Sequence, residues 1–318
     1  MENEIIWLSR DKIDDAKWDD CIRRSRLPLI YALSWYLDTT SPNWAGLVQL
    51  SDENYKAVLP LPVRYSFGVP FLKQPFLSQQ LGFFSELPLP DSTQKQFLGE
   101  LHTKYKYVAD YAFNTSNTLR VEGQLETQQT HYLDLNQPYA ALLANYRLDR
   151  RHRLRQVLRD PPRVIQVNDP EPLLRMFQAS VANKIQGGVP EQFYTIFRAL
   201  FHQISAQKIE NQLCYTLDEQ GNPEAGIWLV TWQRHTIYLF NAAYDHARKK
   251  NGRTFMLDQF IQRHANTPMI LDFESAQARE VADFYASFGA KPYTFWKWYY
   301  NALPFWVNIP KRIRAFFR

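Results

Sequence analysis

The sequence predicts an α/β chain of two fused domains, each built on a mixed α+β sheet, followed by a short basic tail. Three observations lead there. The chain has 318 residues, too many for one ordinary compact domain and enough for two of roughly 150 residues each. Hydrophobic residues make up 45% and charged residues 22%, a balance that supports packed cores and excludes a disordered chain. The second half alternates helix-like and strand-like segments in the order ααβββαβαβ, so antiparallel strands lead into βαβ units and the sheet is mixed. We expect domains over 1–160 and 161–303 and a tail over 304–318.

Taken in order, the first half opens with a helix around Asp11–Arg24 and a short one over Ala32–Asp38. Strand-like runs follow at Trp44–Leu50 and Tyr55–Tyr65, joined by the turn Ser51-Asp52-Glu53-Asn54. Pro60 and Pro62 make the second run an edge or bulged strand. Asp91–Tyr105 reads as a helix capped by Asp91 or Ser92, with strands near Tyr107–Phe113 and His131–Leu135. A helical stretch over Tyr139–Leu158 ends before Pro161-Pro162, where the domain boundary is expected.

In the second half, Pro172–Ile185 and Pro190–Gln207 read as helices separated by Gly187-Gly188. The latter is amphipathic, with Phe193, Ile196, Phe197, Leu200, Phe201 and Ile204 on one face. Strands are expected at Gln212–Leu217, Ala225–Trp232 and Thr236–Ala243, the first two as a hairpin over Asp218–Pro223. Helix Thr254–Ala265, strand Met269–Phe273, helix Ala276–Ser287 and strand Tyr293–Tyr299 complete the order.

Composition narrows function by exclusion. Cys21 and Cys214 lie far apart and form no CxxC pair, so neither a disulfide framework nor a structural zinc site is expected. The seven histidines lack ligand spacing, and there is no HExxH, Walker loop or GxSxG elbow, so no metal is expected. Met1–Arg10 has no long apolar core and no run of 18 apolar residues occurs, so the expectation is a cytoplasmic protein. The net charge of +5 is unevenly spread: no Asp or Glu follows Asp283, whereas Lys291, Lys297, Lys311, Arg312, Arg314 and Arg318 do. With a second basic cluster in mid-chain, this points to an anionic partner.

That cluster is the stripe Arg147, Arg151, Arg155 and Arg159, recurring every four residues along one helix face. Like charges at this spacing repel by roughly 0.2–0.5 kcal/mol per pair, so an acidic patch of the fold, a nucleotide diphosphate or RNA should neutralise it, unless it is a solvated face. The turn Lys249-Lys250-Asn251-Gly252-Arg253-Thr254 joins a strand to a helix. Backbone N–H groups at such a helix start face an anion, and Gly252 would permit its close approach; a solvated basic turn is the plainer alternative. In Leu271-Asp272-Phe273-Glu274 two carboxylates share one side of a strand end, where they would deprotonate an incoming ammonium group. Otherwise Asp272 simply ends the strand and Glu274 favours the next helix through its dipole. The tail places Ile309, Ile313 and Phe316 on one helical face among basic residues. It fits either docking on its own domain or peripheral contact with an anionic membrane.

The second-half element order resembles the GNAT acyltransferase core, and Ala282-Asp283-Phe284-Tyr285-Ala286-Ser287-Phe288-Gly289-Ala290 is similar to that family's "A..FY...GF" signature. The resemblance implies that Tyr285 protonates the departing thiolate, for which a phenol near pKa ~10 is suited; as a residue it also reads as a core aromatic at helical spacing. It implies that Lys249, Asn251, Gly252, Arg253 and Thr254 hold the pyrophosphate of an acyl-CoA such as acetyl-CoA, although Lys249 and Thr254 depart from the family pattern. It further implies that a backbone N–H near Asn241, Ala242 and Ala243 polarises the acyl carbonyl. Over the whole chain, Tyr31-Ala32-Leu33-Ser34-Trp35-Tyr36 and Tyr146–Val157 resemble segments of the Fem-type aminoacyltransferases, tandem GNAT proteins that carry aminoacyl groups from tRNA to peptidoglycan precursors. This implies Trp35, Arg147, Arg151 and Arg155 at a substrate or anion site. The first domain would then be the acceptor side and the second the donor side, with a small-molecule or peptide amine as acceptor. No heptad stretch matches the helical hairpin that some members use for tRNA, so aminoacyl-tRNA and acyl-CoA both stay open as donors. The reading outside enzymes is a non-catalytic GNAT-like module that holds RNA or another anionic ligand.

Overall fold

The computed structural model describes residues 4–52, 54–118, 121–185, 187–275 and 279–304. The chain forms two compact units, Met1–Gln128 with Phe295–Arg318, and Gln129–Thr294.

The first unit contains β1 (Ile5–Ser9), α1 (Asp15–Arg24), α2 (Ser34–Thr40), β2 (Ala45–Ser51), β3 (Asn54–Leu61), β4 (Val63–Ser66), β5 (Val69–Lys73), β6 (Phe84–Ser85), α3 (Asp91–Lys104) and β7 (Tyr107–Phe113). Asp14 caps α1 by accepting from Lys17 N at 3.1 Å. Trp18, Cys21 and Ile22 form the buried face of α1. Trp18 packs against Trp44 with ring centroids 4.9 Å apart and lies over Gly46, where a Cβ would come within 2.5 Å of the indole. Strands β1, β2, β3 and β6 make an antiparallel sheet. β4 and β5 form a hairpin, and β5 runs parallel to β7. The expected single strand Tyr55–Tyr65 is broken at Pro62, which cannot donate to a ladder. Pro60 lies beyond β6, which reaches only Ala57 and Val58.

The second unit takes up β8 (Gln124–Asp134) from Gln129 onward, then α4 (Tyr139–Ala144), α5 (Leu148–Val157), β9 (Val164–Gln166), α6 (Glu171–Ser180), α7 (Glu191–Ala206), β10 (Glu210–Leu217), β11 (Pro223–Trp232), β12 (His235–Ala243), α8 (Gly252–His264), β13 (Ile270–Asp272) and α9 (Arg279–Ala286). The chain leaves it within β14 (Lys291–Asn301). The strand order β8-β13-β12-β11-β10-β9 is antiparallel except for β12 and β13. β11 is buried from Glu224 to Thr231, as a strand covered on both faces should be. Trp228 meets Phe197 and Phe201 of α7 on one face. Ile227 and Leu229 join Leu257, Phe260 and Ile261 of α8 in a second cluster on the other.

The compact units divide at 128/129 and 294/295, not at the expected 160/161. The reason lies in α4 and α5, which anchor to the second unit. Tyr139 and Tyr146 both donate to Asp258 of α8, at 2.8 and 3.0 Å, and Leu142, Leu154 and Val157 enter its core. The expected helix Tyr139–Leu158 is two helices, because Arg147 is extended and its N–H is drawn to the Ser287 carbonyl at 2.9 Å. The basic tail expected over 304–318 lies outside the described residues beyond its first position. No described helix is long and apolar enough to cross a membrane.

Candidate active site

β12 and β13 lie parallel but pair only through His235–Ile237 and Ile270–Asp272. β12 runs on to Ala243, while the chain after β13 turns away at Glu274, whose φ is +44°. Among the described residues, the edge of β12 from Tyr238 to Ala243 therefore has no strand partner on this side. Open backbone on a splayed pair is what an oxyanion-type contact requires, and it covers the expected Asn241, Ala242 and Ala243.

Four side chains from separate elements gather at this splay. Tyr285 of α9 is buried, stacked on Phe273 at 5.0 Å and edge-on to Tyr238 at 5.7 Å. Its hydroxyl accepts from Asn241 Nδ2 at 3.4 Å, and Asn241 Oδ1 in turn accepts from Arg253 Nη1 at 2.6 Å. Burial pushes the phenol up to about 12, against the opposing pull of Arg253 and Asn241. Glu274 is half-buried, but its Oε1 is shut off from solvent and has no hydrogen-bond partner among the described residues. Burial raises its carboxyl well above the usual range, and its charge in turn raises Tyr285. The Tyr238 hydroxyl beside Tyr285 is also buried without a partner among the described residues. A left-handed Glu and two orphaned polar atoms are costly features that packing alone does not require.

Asp272 has a different place from Glu274. It is fully buried, accepts from Thr130 Oγ1 at 2.6 Å and Glu274 N at 2.9 Å, and faces His235 Nε2 at 3.3 Å. Because β13 ends at Asp272, the two carboxylates do not share one strand face as the sequence suggested. Asp272 holds the turn that carries Glu274.

The basic turn is a 3-10 segment, Ala247–Lys250, followed by Asn251 at φ +59° and then α8. Lys249 and Asn251 line an open groove of about 680 Å³ with Leu148, Asp149, His152, Arg153 and Gln156. Among the described residues, the Asn251 side chain makes no cap at the N-terminus of α8. Two expected roles change here. A Cβ on Gly252 would lie 2.8–2.9 Å from the Thr216 side chain, so the bare Cα lets α8 approach β10. Thr254 is buried and accepts from Arg150 Nη1 at 2.5 Å, so its hydroxyl faces inward. Arg253 points to Asn241 and links the turn to the splay.

Sequence reasoning passed over Arg150, the one arginine of the stripe region that is buried. It donates to Ser287 Oγ at 2.8 Å as well as to Thr254, and its guanidinium lies 4.3 Å from the Phe284 ring and 4.8 Å from Phe288. Burial lowers its pKa to about 10. It thereby pins α5 to the start of α8 and the end of α9. The available signal was phase: 150 falls off the 147-151-155-159 stripe and onto the face of Leu154 and Val157. Arg147 is bound to Asp149 at 2.6 Å and to Asp283 at 2.6 and 2.8 Å, and holds Asp149 down at about 2. The fold itself thus supplies counter-charge to the first arginine of the stripe. Arg151 and Arg155 do not line the groove. Trp35 lies in α2 of the first unit, half-buried against Tyr36 at 5.5 Å.

No family model and no curated sequence matches the chain. Solved structures do. The chain is similar to FemX at 10% identity, a TM-score of 0.62, and coverage of 92% of this chain and 96% of that one. It is similar to a tandem GNAT protein from the clavulanic acid biosynthesis pathway at 11% identity and a TM-score of 0.55, covering 95% and 99%. A GNAT-family acetyltransferase from Colwellia psychrerythraea matches at 12% identity and a TM-score of 0.51, covering 94% and 100%. These identities speak for the fold alone, and over nearly the whole chain the fold is that of the tandem GNAT proteins.

Proposed function

We propose that the chain is an N-acyltransferase that moves an acyl or aminoacyl group to an amine, with the reacting atoms at the splay of β12 and β13. The observation that carries this reading is the convergence of Glu274, Tyr285, Asn241 and Arg253 on one unpaired strand edge. An acceptor that arrives as an ammonium group must lose a proton before its nitrogen can attack an acyl carbon. Glu274, with an unpartnered Oε1 and a raised pKa, is a general base matched to that task. Tyr285 keeps its proton throughout the neutral range and offers it to the leaving group. Asn241 and Arg253 hold the phenol in place. The unpaired edge of β12 aims backbone donors at the developing oxyanion.

The donor is a CoA thioester or an aminoacyl-tRNA. Either supplies an activated carbonyl and phosphates. The groove beside α8 fits phosphate: Lys249, Arg153 and His152 line it, and its one carboxylate, Asp149, is already bound to Arg147. One observation favours a second reading, a non-catalytic module that binds an anion. Gly252 and Thr254 are engaged by packing, and so the motif faces the groove only through Lys249 and Asn251.

Calorimetric titration with acetyl-CoA and with free CoA tests the donor. Micromolar binding that weakens at least tenfold in Lys249→Ala/Arg153→Ala supports a thioester. Binding of neither ligand moves the donor to aminoacyl-tRNA. Binding without transfer to any amine, unchanged in Glu274→Gln, supports the binding module.

A further inference from the structure

The β4–β5 hairpin of the first unit carries an aromatic tip that its own fold does not use. Ser66 pairs with Val69, which leaves Phe67-Gly68 as a two-residue loop with φ of +50° and +78°. Positive φ at both loop positions is the type I′ turn, which favours Asn-Gly. Phenylalanine is a poor choice twice over here. A bulky residue resists the left-handed region, and this ring is 96% exposed. Tyr65 at 61% and Val69 at 43% flank it, so three apolar side chains project from one tight, stiff turn.

The charge around the tip identifies its counterpart. Along the hairpin strands and on to Phe84 there is no Asp or Glu, while Arg64 of β4 and Lys73 of β5 occur. Behind the hairpin, Phe71 packs on Tyr107 at 5.7 Å, and Lys104 and Lys106 border that strand. The acid on the neighbouring strand, Asp110, is bound to Lys297 at 3.1 Å. Exposed aromatics on a tight turn, with lysine nearby and no acid within the hairpin, match the interface of an anionic bilayer, where ring and cation each find a favourable layer. We propose that this hairpin tip is a peripheral membrane anchor that inserts Phe67, with Tyr65 and Val69, into an anionic lipid surface.

Sedimentation of the full chain with phosphatidylcholine vesicles, with and without phosphatidylglycerol, tests it. The unaltered protein should co-sediment with the anionic vesicles and be released as salt rises. Phe67→Asn places the residue the turn prefers, so its thermal midpoint should be equal or higher, while vesicle partitioning falls at least tenfold. Phe67→Trp should retain binding. Failure of the unaltered protein to bind anionic vesicles would overturn the proposal. So would Phe67→Asn binding as well as the unaltered protein, because attachment would then run through another part of the chain.

Discussion

Two helices occupy equivalent topological places and are built oppositely. In each unit a helix crosses between parallel neighbours: α3 comes between β5 and β7, and α8 between β12 and β13. α3 has Asp91 in its first turn, an acid that favours the helix dipole. The cavity beside it holds about 1000 Å³ and is lined by Asp20, Asp52 and Glu86 against Arg24 and Lys56. Arg24 is shared by Asp20 at 2.8 Å and Glu86 at 3.2 Å. α8 has no acid in its first turn and has Arg253 there, with Lys249 just before it. The larger cavity is thus the one that repels a phosphate, and the shallower groove is the one that attracts it. The proposed donor site therefore follows the sign of charge and the unsatisfied polar atoms, not the size of the cavity.

The largest expected effect separates the units most sharply. Glu274→Gln should lower amine acylation by roughly 10²–10⁴-fold, whereas a substitution at Glu86 in the first unit should leave turnover intact. With the unaltered protein, the proposed activity should rise with pH along a limb set above the ordinary glutamate value near ~4.3, because the base acts only when ionised and burial raises its pKa. Stability runs the other way. A carboxyl raised in the folded state stabilises fully below its unfolded pKa, and that contribution is lost as pH climbs through the folded pKa. Glu274→Gln should therefore melt no lower than the unaltered protein at neutral pH while being inactive, a combination that a merely structural glutamate would not give. Tyr285→Phe comes next. It removes a hydroxyl held by one long bond of 3.4 Å, so rate should fall about 10- to 100-fold with little change in melting midpoint.

Strong periodicity made the second unit legible. α7, β10, β11, β12 and α8 lie within a few residues of their expected bounds, since each buries a continuous face. The strands left unforeseen are β1, β5, β6 and β9, which are short or only partly buried and so carry little pattern. At the site, Tyr285, Glu274 and Arg253 were named from local strings, and the fold brings them together. What no string contained was the left-handed turn at Glu274, the full engagement of Asp272, and the inward face of Thr254. The last two depend on residues far along the chain, Thr130 for Asp272 and Arg150 for Thr254. Gly252 shows the same limit. Its conformational freedom suggested an approach to phosphate, but its neighbour is Thr216 of β10.

That glycine yields a test of intermediate size. Gly252→Ala should cost about 1–3 kcal/mol in urea denaturation through overpacking against Thr216. Thr216→Ala in the same chain should restore most of it. If the double variant regains stability and still binds the donor, packing is the glycine's whole role. If stability returns without donor binding, the glycine also faces the ligand.

The smallest effect sharpens the comparison of charge. Lys249→Ala removes one exposed cation from the groove and should weaken donor binding about three- to tenfold, mainly at low salt. Lys56→Ala removes one from the acidic cavity of the first unit and should change donor binding by less than twofold. Both lower the net charge of +5 by one, so a long-range field acting on the donor would make them equivalent. Unequal losses at low salt that converge as salt rises would mean that local phosphate contact at the start of α8 sets the difference. Equal losses would mean that the contrast between α3 and α8 does not select the donor.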